Sequence, residues 1–141
     1  MPDCLLCRLA ERELEVSLVH EDAQTVVLMD INPLVRGHML VVPRRHAARL
    51  ADLAEEDGAQ LFRMGQRAAA ALYASPLRSD GVNFLLADGA AAGQEIFHVH
   101  LHVVPRFPAD GFGFLVPPDS VRPRAELDEA ADALREAWPA S

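Results

Sequence analysis

Three histidines alternate with aliphatic residues at His98, His100 and His102. On a β-strand, alternate side chains point to one face about 6.5 to 7 Å apart, so this run predicts three imidazoles along one surface. An imidazole has an ordinary pKa near 6.5 and therefore offers an uncharged, nucleophilic nitrogen at neutral pH. That nitrogen can attack phosphorus only when the other ring nitrogen carries the proton, and a backbone carbonyl can fix this tautomer. The central histidine suits such a role.

Two cysteines, Cys4 and Cys7, stand three positions apart near the start of the chain. A chain of 141 residues hides roughly two-thirds of its surface on folding and does not need a disulfide. In a reducing compartment, such a pair indicates a metal clip or a redox pair. The surrounding pattern does not favour a thioredoxin-like redox site, whereas a tetrahedral zinc site needs two further ligands that histidines can supply.

The charge balance limits the partners of the chain. Thirteen Lys and Arg stand against 21 Asp and Glu, giving a formal net charge of −8. This balance argues against binding to long nucleic acid or to an acidic membrane, but a few local donors can still hold one small anion. No apolar run approaches the ~18 residues of a membrane span, and the start of the chain does not resemble a signal peptide. We therefore expect a cytoplasmic protein.

Periodicity predicts the elements that position these residues. Two β-branched runs around a polar stretch predict a hairpin over Ser17–Asp30. Short apolar runs predict three further strands, at His38–Val42, Val82–Leu86 and Ile96–Val104. An apolar stripe predicts a long helix with Asp52 as its N-cap and Pro76 as its stop, and a second helix spans Pro123–Trp138. This mixed order favours an antiparallel α+β domain.

Several short motifs occur together with the histidine run Gly93–Arg106. They are Cys4–Cys7, Asp30–Pro33, Gly37–His38 and Val41–His46. This set resembles the histidine triad (HIT) family of nucleotide hydrolases and transferases, over roughly Cys4 to Arg106. The resemblance implies an α+β fold with a five-stranded antiparallel sheet, a long helix and a short N-terminal helix, usually in a homodimer. We therefore expect a HIT domain over residues 1–107 and a C-terminal extension over 108–141, packed on the same domain.

The resemblance also assigns roles around the phosphate. It implies that His100 attacks the α-phosphate of a purine nucleotide conjugate and forms a covalent nucleotidyl-histidine, with its far nitrogen bonded to the backbone oxygen of His98. His102 would contact the phosphate oxygens, and His38 would orient a triad ring. Gln94, with the backbone of the loop at Gly93, would hydrogen-bond the phosphate.

The nucleoside and metal sites follow by the same resemblance. Asp30 would hold the ribose hydroxyls, although it is also placed to close a turn before Pro33. The apolar slot for the base, or alternatively ordinary core, would be formed by Leu5, Leu6, Leu9, Leu28 and Ile31. Structural zinc would be bound by Cys4, Cys7, His46 and His98. A zinc-bound His98 cannot easily protonate the leaving group, which leaves His102 or solvent for that step.

Two positions depart from the family pattern. Ala87 stands where an Asn or Gln commonly contacts the phosphate, and Glu95 stands where several members have Ser or Thr. These changes favour a phosphoramidate, mononucleotide ester or other monoadenylated substrate over a dinucleoside polyphosphate. Two other functions stay open: a non-catalytic nucleotide-binding module with a structural zinc, and a metalloenzyme whose catalytic metal is held by the three alternating histidines.

Overall fold

The computed structural model describes residues 3–141, so Met1 and Pro2 of the expected domain lie outside the described residues. Its helices are α1 (Leu5–Ala10), α2 (Glu55–Ala74) and α3 (Arg124–Ala137). Its strands are β1 (Leu18–Glu21), β2 (Thr25–Met29), β3 (Met39–Pro43), β4 (Gly81–Leu85) and β5 (Leu101–Arg106). Short 3-10 turns cover Leu50–Asp52 and Ala90–Ala92. The expected α+β architecture is confirmed.

In the part of the chain that the structure describes, the five strands form one antiparallel sheet in the order β1-β2-β3-β5-β4. The hairpin is confirmed as β1 and β2, and Asp22 closes its turn by accepting hydrogen bonds from the backbone N–H groups of Gln24 and Thr25 at 2.8 and 2.7 Å. Strand β5 lies between β3 and β4. The histidine run therefore enters the middle of the sheet rather than its edge.

Apolar side chains cover both faces of the sheet. Helix α2 packs on one face through a cluster that includes Val41, Leu61, Met64 and Val103. Helix α1 covers the other face, where Leu6 contributes to a smaller cluster. The predicted start of α2 at Asp52 is wrong, because Asp52 belongs to the preceding 3-10 turn and Ala54 occupies the N-cap. Three acidic residues in the first turn, Glu55 to Asp57, instead complement the positive end of the helix dipole.

The strand predicted over Ile96–Val104 begins later, at Leu101. The backbone turns before it, because the N–H of His98 donates to the oxygen of Ile96 at 2.9 Å and the N–H of Val99 donates to the oxygen of Ala47 at 2.8 Å. The alternation of faces nevertheless continues through this bend. Val99, Leu101 and Val103 all join the core cluster under α2.

The C-terminal extension forms the predicted helix, α3. No residue of α3 is buried, and its apolar stripe is open, with Leu134 66% and Trp138 78% exposed. The packing of the extension on the same domain stays a prediction. Among the described residues, no helix combines the length and the apolar character needed to cross a membrane.

Candidate functional site

A cavity of about 480 Å³ opens on the α1 face of the sheet, and we call it the main cavity. Its walls come from α1, the end of β2, the loop before β3 and the bend before β5. His38, His100 and His102 line one side of it, and Gly93 lines the loop beside them. The structure thus brings most of the residues predicted to surround the nucleotide to one concave surface.

The predicted base slot forms the apolar side of the main cavity. All five of its expected members line the wall: Leu5, Leu6, Leu9, Leu28 and Ile31. Leu6 and Leu28 are also members of the core cluster under α1, so for them the slot and the core are the same surface. The sequence analysis missed Leu14, Val16 and Leu40, which line the cavity as well. Leu14 and Val16 lie outside every motif, so only the folded chain brings them here.

The backbone fixes the orientation and the proton of His100. The Nδ1 atom of His100 lies 2.7 Å from the backbone oxygen of His98. A carbonyl oxygen only accepts, so Nδ1 must carry the proton and donate it. The other nitrogen, Nε2, is therefore unprotonated in the neutral ring. Because the ring lines the main cavity, it presents a nucleophilic nitrogen there.

A second chain of hydrogen bonds fixes the protons of His38 and His102. The backbone N–H of Leu34 donates to Nδ1 of His38 at 3.1 Å. A neutral His38 must then carry its proton on Nε2, which lies 2.9 Å from Nδ1 of His102. His102 accepts this bond and keeps its own proton on Nε2. This series of hydrogen bonds ends in an N–H donor on His102, a group suited to contact a phosphate oxygen.

Burial keeps this pair uncharged. Desolvation lowers the pKa of His38 below its ordinary value, although Asp30 partly opposes the shift. Burial, with the nearby His100 and His38, lowers the pKa of His102 to about 4. Both rings are therefore neutral at physiological pH, as the hydrogen-bond chain requires.

Asp30 lies at the floor of the main cavity beside these rings. Its Oδ1 accepts the backbone N–H of Asn32 at 2.8 Å, so the carboxylate does close the turn before Pro33. Its Oδ2 lies 3.6 Å from Nε2 of His38 and 3.9 Å from Nδ1 of His102, beyond hydrogen-bond range. That oxygen keeps free acceptor capacity for hydroxyl groups of a ligand. The two interpretations of Asp30 are compatible.

Gln94 has a different position from the one expected. Its side chain is buried; Oε1 accepts from the N–H of Gly89 at 2.8 Å, and Nε2 donates to the backbone oxygen of Ala48 at 2.8 Å. The amide thus hydrogen-bonds backbone groups, and Gln94 is not among the residues that line the main cavity; its role as a phosphate ligand stays a prediction. The neighbouring Glu95 does line the cavity.

A cluster of two thiols and two imidazoles includes His98, two positions before His100 in the bend that precedes β5. Nδ1 of His98 is 3.3 Å from Sγ of Cys4, from Sγ of Cys7 and from Nδ1 of His46. All four ligand atoms lie within 4.8 Å of one another. Tetrahedral zinc with bonds of about 2.0 to 2.3 Å needs ligand atoms roughly 3.3 to 3.8 Å apart. The four residues predicted as metal ligands therefore form a group that could hold a metal ion.

The chemistry of the cluster also fits a metal. Nε2 of His98 donates to the backbone oxygen of Pro43 at 2.8 Å, which leaves Nδ1 with a free lone pair directed at the thiols. Burial, with the adjacent Cys4, raises the pKa of the Cys7 thiol. A bound cation would offset this by stabilising the thiolates.

The geometry does not favour a catalytic metal on the three alternating histidines. The ligating nitrogen of His98 faces the cysteines, and Nδ1 of His100 is bonded to a carbonyl. Asp30, His38 and His102 also lie close together. However, a metal on Nε2 of His38 would require a proton on Nδ1, where the N–H of Leu34 already donates. This second group is therefore a hydrogen-bond chain.

These features define a class: a small α+β protein in which histidines with fixed tautomers line a largely apolar cavity beside a cluster of cysteines and histidines. The chain belongs to the HIT domain family, whose model matches residues 11–109. An uncharacterized HIT-like protein from Borreliella burgdorferi is 39% identical over 117 residues, covering 81% of this chain and 83% of the relative.

Solved structures agree with this assignment. A HIT family protein from Bacillus anthracis has a TM-score of 0.88 at 28% identity, covering 97% of this chain and 98% of that one. A Zn-bound histidine triad family protein from Mycobacterium smegmatis has a TM-score of 0.77 at 37% identity, covering 96% and 98%. The expected family and five-stranded fold are confirmed.

Proposed function

We propose that this protein is a nucleotide-binding hydrolase or nucleotidyl transferase that cleaves purine nucleotide conjugates at the α-phosphate through His100. The observation that carries this proposal is the 2.7 Å bond from Nδ1 of His100 to the backbone oxygen of His98, which leaves Nε2 unprotonated at the cavity. Family membership supports it. The substrates proposed are phosphoramidates, mononucleotide esters or dinucleoside polyphosphates.

The reaction proceeds in two displacements. Nε2 of His100 attacks the α-phosphorus, a phosphorus–nitrogen bond forms, and the bond to the leaving group breaks. The leaving group departs with the electron pair and takes a proton from water. Water then attacks the same phosphorus, the bond to His100 breaks, and a nucleoside monophosphate and a proton are released. A second acceptor in place of water would give nucleotidyl transfer.

The neighbouring groups bind and orient the nucleotide in this proposal. The N–H on Nε2 of His102 donates to a phosphate oxygen and stabilises charge that develops in the transition state. The free oxygen of Asp30 accepts from the ribose hydroxyls, and the leucine wall that includes Leu5 and Leu28 encloses the base. His38 acts as a positioning residue because it touches His102 rather than substrate.

Trapping the intermediate tests this proposal. The protein is incubated with adenosine 5′-phosphoramidate, quenched in alkali and analysed by peptide mass spectrometry. We expect an adenylyl adduct on His100, no adduct and no turnover in His100→Ala, and unchanged turnover in the matched control His20→Ala, which alters an exposed ring on β1. If His100→Ala keeps full turnover, the nucleophile assignment fails.

The same experiment separates the second candidate function. A non-catalytic nucleotide-binding module with a structural zinc is favoured by Gln94, whose amide is engaged by backbone, and by Ala87, which supplies no side-chain donor. Such a module would bind AMP in calorimetry yet form no adduct. Detection of the adduct on His100 excludes it.

We also propose that the cluster of Cys4, Cys7, His46 and His98 holds one structural zinc ion. The spacing of its ligand atoms and the Zn-bound relative from Mycobacterium smegmatis support this. Four protein ligands close the coordination shell, so the metal would supply structural fixation of the N-terminal segment rather than an open site for chemistry. Metal analysis of purified protein should find one zinc per chain.

We further propose that the chain forms a homodimer. Strand β4 is a sheet edge, and Phe62 on α2 is 57% exposed while its ring meets that of Phe84 on this strand edge-to-face, with 5.8 Å between the ring centroids. An edge strand beside exposed aromatic surface is a natural pairing surface. Sedimentation should give a dimer, and Phe62→Glu should shift it toward monomer.

A further inference from the structure

The fold brings the sulfurs of the two cysteines, Cys4 and Cys7, to a single nitrogen atom. Each Sγ lies 3.3 Å from Nδ1 of His98, and the two sulfurs are no more than 4.8 Å apart. Cys4 is the N-cap of α1 and Cys7 lies in its first turn, where Cα atoms three residues apart are roughly 5 Å from each other. A disulfide needs a Cα separation of about 4.4 to 6.8 Å, so the backbone already holds the pair at a suitable spacing.

Solvent reaches the two cysteines more easily than the histidine that they contact. Cys4 and Cys7 are both partly exposed, whereas His98 is completely buried. A small oxidant such as hydrogen peroxide therefore meets the sulfurs first. With the proposed zinc bound, both sulfurs are thiolates, which is the form that peroxides oxidise.

His98 connects these sulfurs to the main cavity. Its ring is held on both sides, because Nε2 donates to the backbone oxygen of Pro43 at 2.8 Å and Nδ1 faces the two sulfurs. Its backbone oxygen accepts from Nδ1 of His100 at 2.7 Å. A change in the bonding of the sulfurs therefore acts on the residue that orients His100.

We propose that Cys4 and Cys7 form an oxidative modification site, at which a peroxide converts the two thiolates into a reversible disulfide within one chain. One sulfur attacks the peroxide, the O–O bond breaks, and a sulfenic acid and hydroxide form. The second sulfur attacks the first, the S–S bond forms, and the sulfenic oxygen leaves as hydroxide. Each hydroxide takes a proton and becomes water. The cysteines lose two electrons, which the peroxide gains, and a thiol reductant reverses the change.

The disulfide removes two of the four proposed zinc ligands, because a thiolate and not a disulfide sulfur binds the metal. Zinc is then released, and the ring of His98 loses its link to α1. The orientation of His100 loosens, so adduct formation on His100 slows. This effect on His100 rests on the proposed function, whereas formation of the disulfide does not.

Mass and thiol measurements test the disulfide. Reduced, zinc-loaded protein is treated with hydrogen peroxide, and free thiols, intact mass and released zinc are measured with a chromogenic chelator present. We expect a monomer that has lost both thiols and two hydrogens, a Cys4–Cys7 cross-link in the peptide map, and release of one zinc per chain. Dithiothreitol with added zinc should restore the starting state. Sulfinic acid, a disulfide between two chains, or thiols that stay free would each overturn the site, and a disulfide formed without zinc release would overturn its link to the metal.

The rate of adduct formation from adenosine 5′-phosphoramidate tests the effect on His100. The rate should fall by about tenfold or more in the oxidised protein and return with dithiothreitol and zinc. The control is the double variant Cys4→Ser with Cys7→Ser, which has no thiol and whose rate peroxide should leave unchanged. An unchanged rate in oxidised wild type, or an equal proportional loss in the double variant, would overturn the effect on His100. If reduced wild type forms no adduct, the proposed function and this effect fail together, and the mass measurements still decide the disulfide.

Discussion

Backbone groups determine the protonation of the histidines around the main cavity. A carbonyl assigns the proton of His100 to Nδ1, and the amide of Leu34 assigns the proton of His38 to Nε2. The two assignments have opposite results: His100 presents a lone pair, and His102, through His38, presents an N–H. Residues of one type thus acquire complementary roles from their local hydrogen bonds.

The low pKa of His102 predicts a pH dependence of stability. Its folded value of about 4 lies below the ordinary 6.5, so between these values the unfolded chain binds more protons and stability falls as pH falls. The loss should be on the order of 2–3 kcal/mol between pH 7 and pH 4. Urea unfolding of wild type and His102→Gln across this range measures it.

The difference between wild type and His102→Gln isolates the contribution of His102, since any loss of stability in acid at the cluster of Cys4, Cys7, His46 and His98 is common to both proteins. We expect His102→Gln to show a shallower decline in the free energy of unfolding than wild type. Parallel pH profiles would show that His102 is not held neutral in the folded protein.

At the scale of elements, the bend before β5 links the cluster of two thiols and two imidazoles to His100, the proposed nucleophile. The ring of His98 belongs to the cluster, whereas its backbone oxygen holds Nδ1 of His100. The loop carrying His46 is connected to the same region through Ala47, whose oxygen accepts the N–H of Val99. Fixing the ring of His98 therefore also fixes the acceptor that orients His100.

Removal of the proposed zinc should consequently affect both stability and reactivity. Chelation should lower the melting temperature by about 10 °C or more, because a structural zinc site contributes folding free energy. It should also expose Cys4 and Cys7 to thiol reagents and slow adduct formation on His100 more than it weakens AMP binding. Re-addition of zinc should restore all three measurements. An apo protein with unchanged melting and unchanged adduct rate would contradict this link.

Two glycines of α2 provide a matched pair that tests how this helix packs. A Cβ at Gly65 would lie 2.9 Å from Leu101 and 3.1 Å from Phe84, whereas one at Gly58 would meet only Leu53, at an ordinary 3.6 Å. Both substitutions gain helix propensity of about 1 kcal/mol. Only Gly65→Ala must also displace core side chains, at a cost of roughly 1–3 kcal/mol. Gly58→Ala should therefore stabilise the protein and Gly65→Ala should not; equal gains in urea unfolding would contradict the close helix–sheet contact.

The sequence predicted the elements whose residue pattern is local. It did not predict positions that depend on hydrogen bonds to backbone groups distant in the chain. The hairpin and the stripe of α2 carry their own periodicity, so both were predictable. The start of β5 was not, because the alternation of residues is the same whether the N–H of Val99 pairs with β3 or with Ala47. The hydrogen bonds of Gln94 were not predictable for the same reason: its partners, Gly89 and Ala48, are brought together only by the fold.

For the whole molecule, the distribution of buried surface separates a packed body from an exposed extension. Both core clusters lie within the body, from Leu6 to Val104, whereas α3 contributes no buried residue. The segment between them is anchored to the body, since Arg106 at the end of β5 donates to the carboxylate of Asp110 and to the backbone oxygen of Phe112. We therefore expect the boundary of the folded body to fall after this anchored segment.

Truncation tests this boundary. Deleting residues 120–141 removes α3 and Trp138 but retains the segment that Arg106 anchors. Because the removed side chains are exposed, the melting temperature should change by no more than about 2 °C, and the rate of adduct formation on His100 should be unchanged. A drop of more than about 5 °C would show instead that the apolar stripe of α3 is covered in solution. Sedimentation of the truncated and the full-length protein would then show whether a second copy of the chain or the same domain covers this stripe.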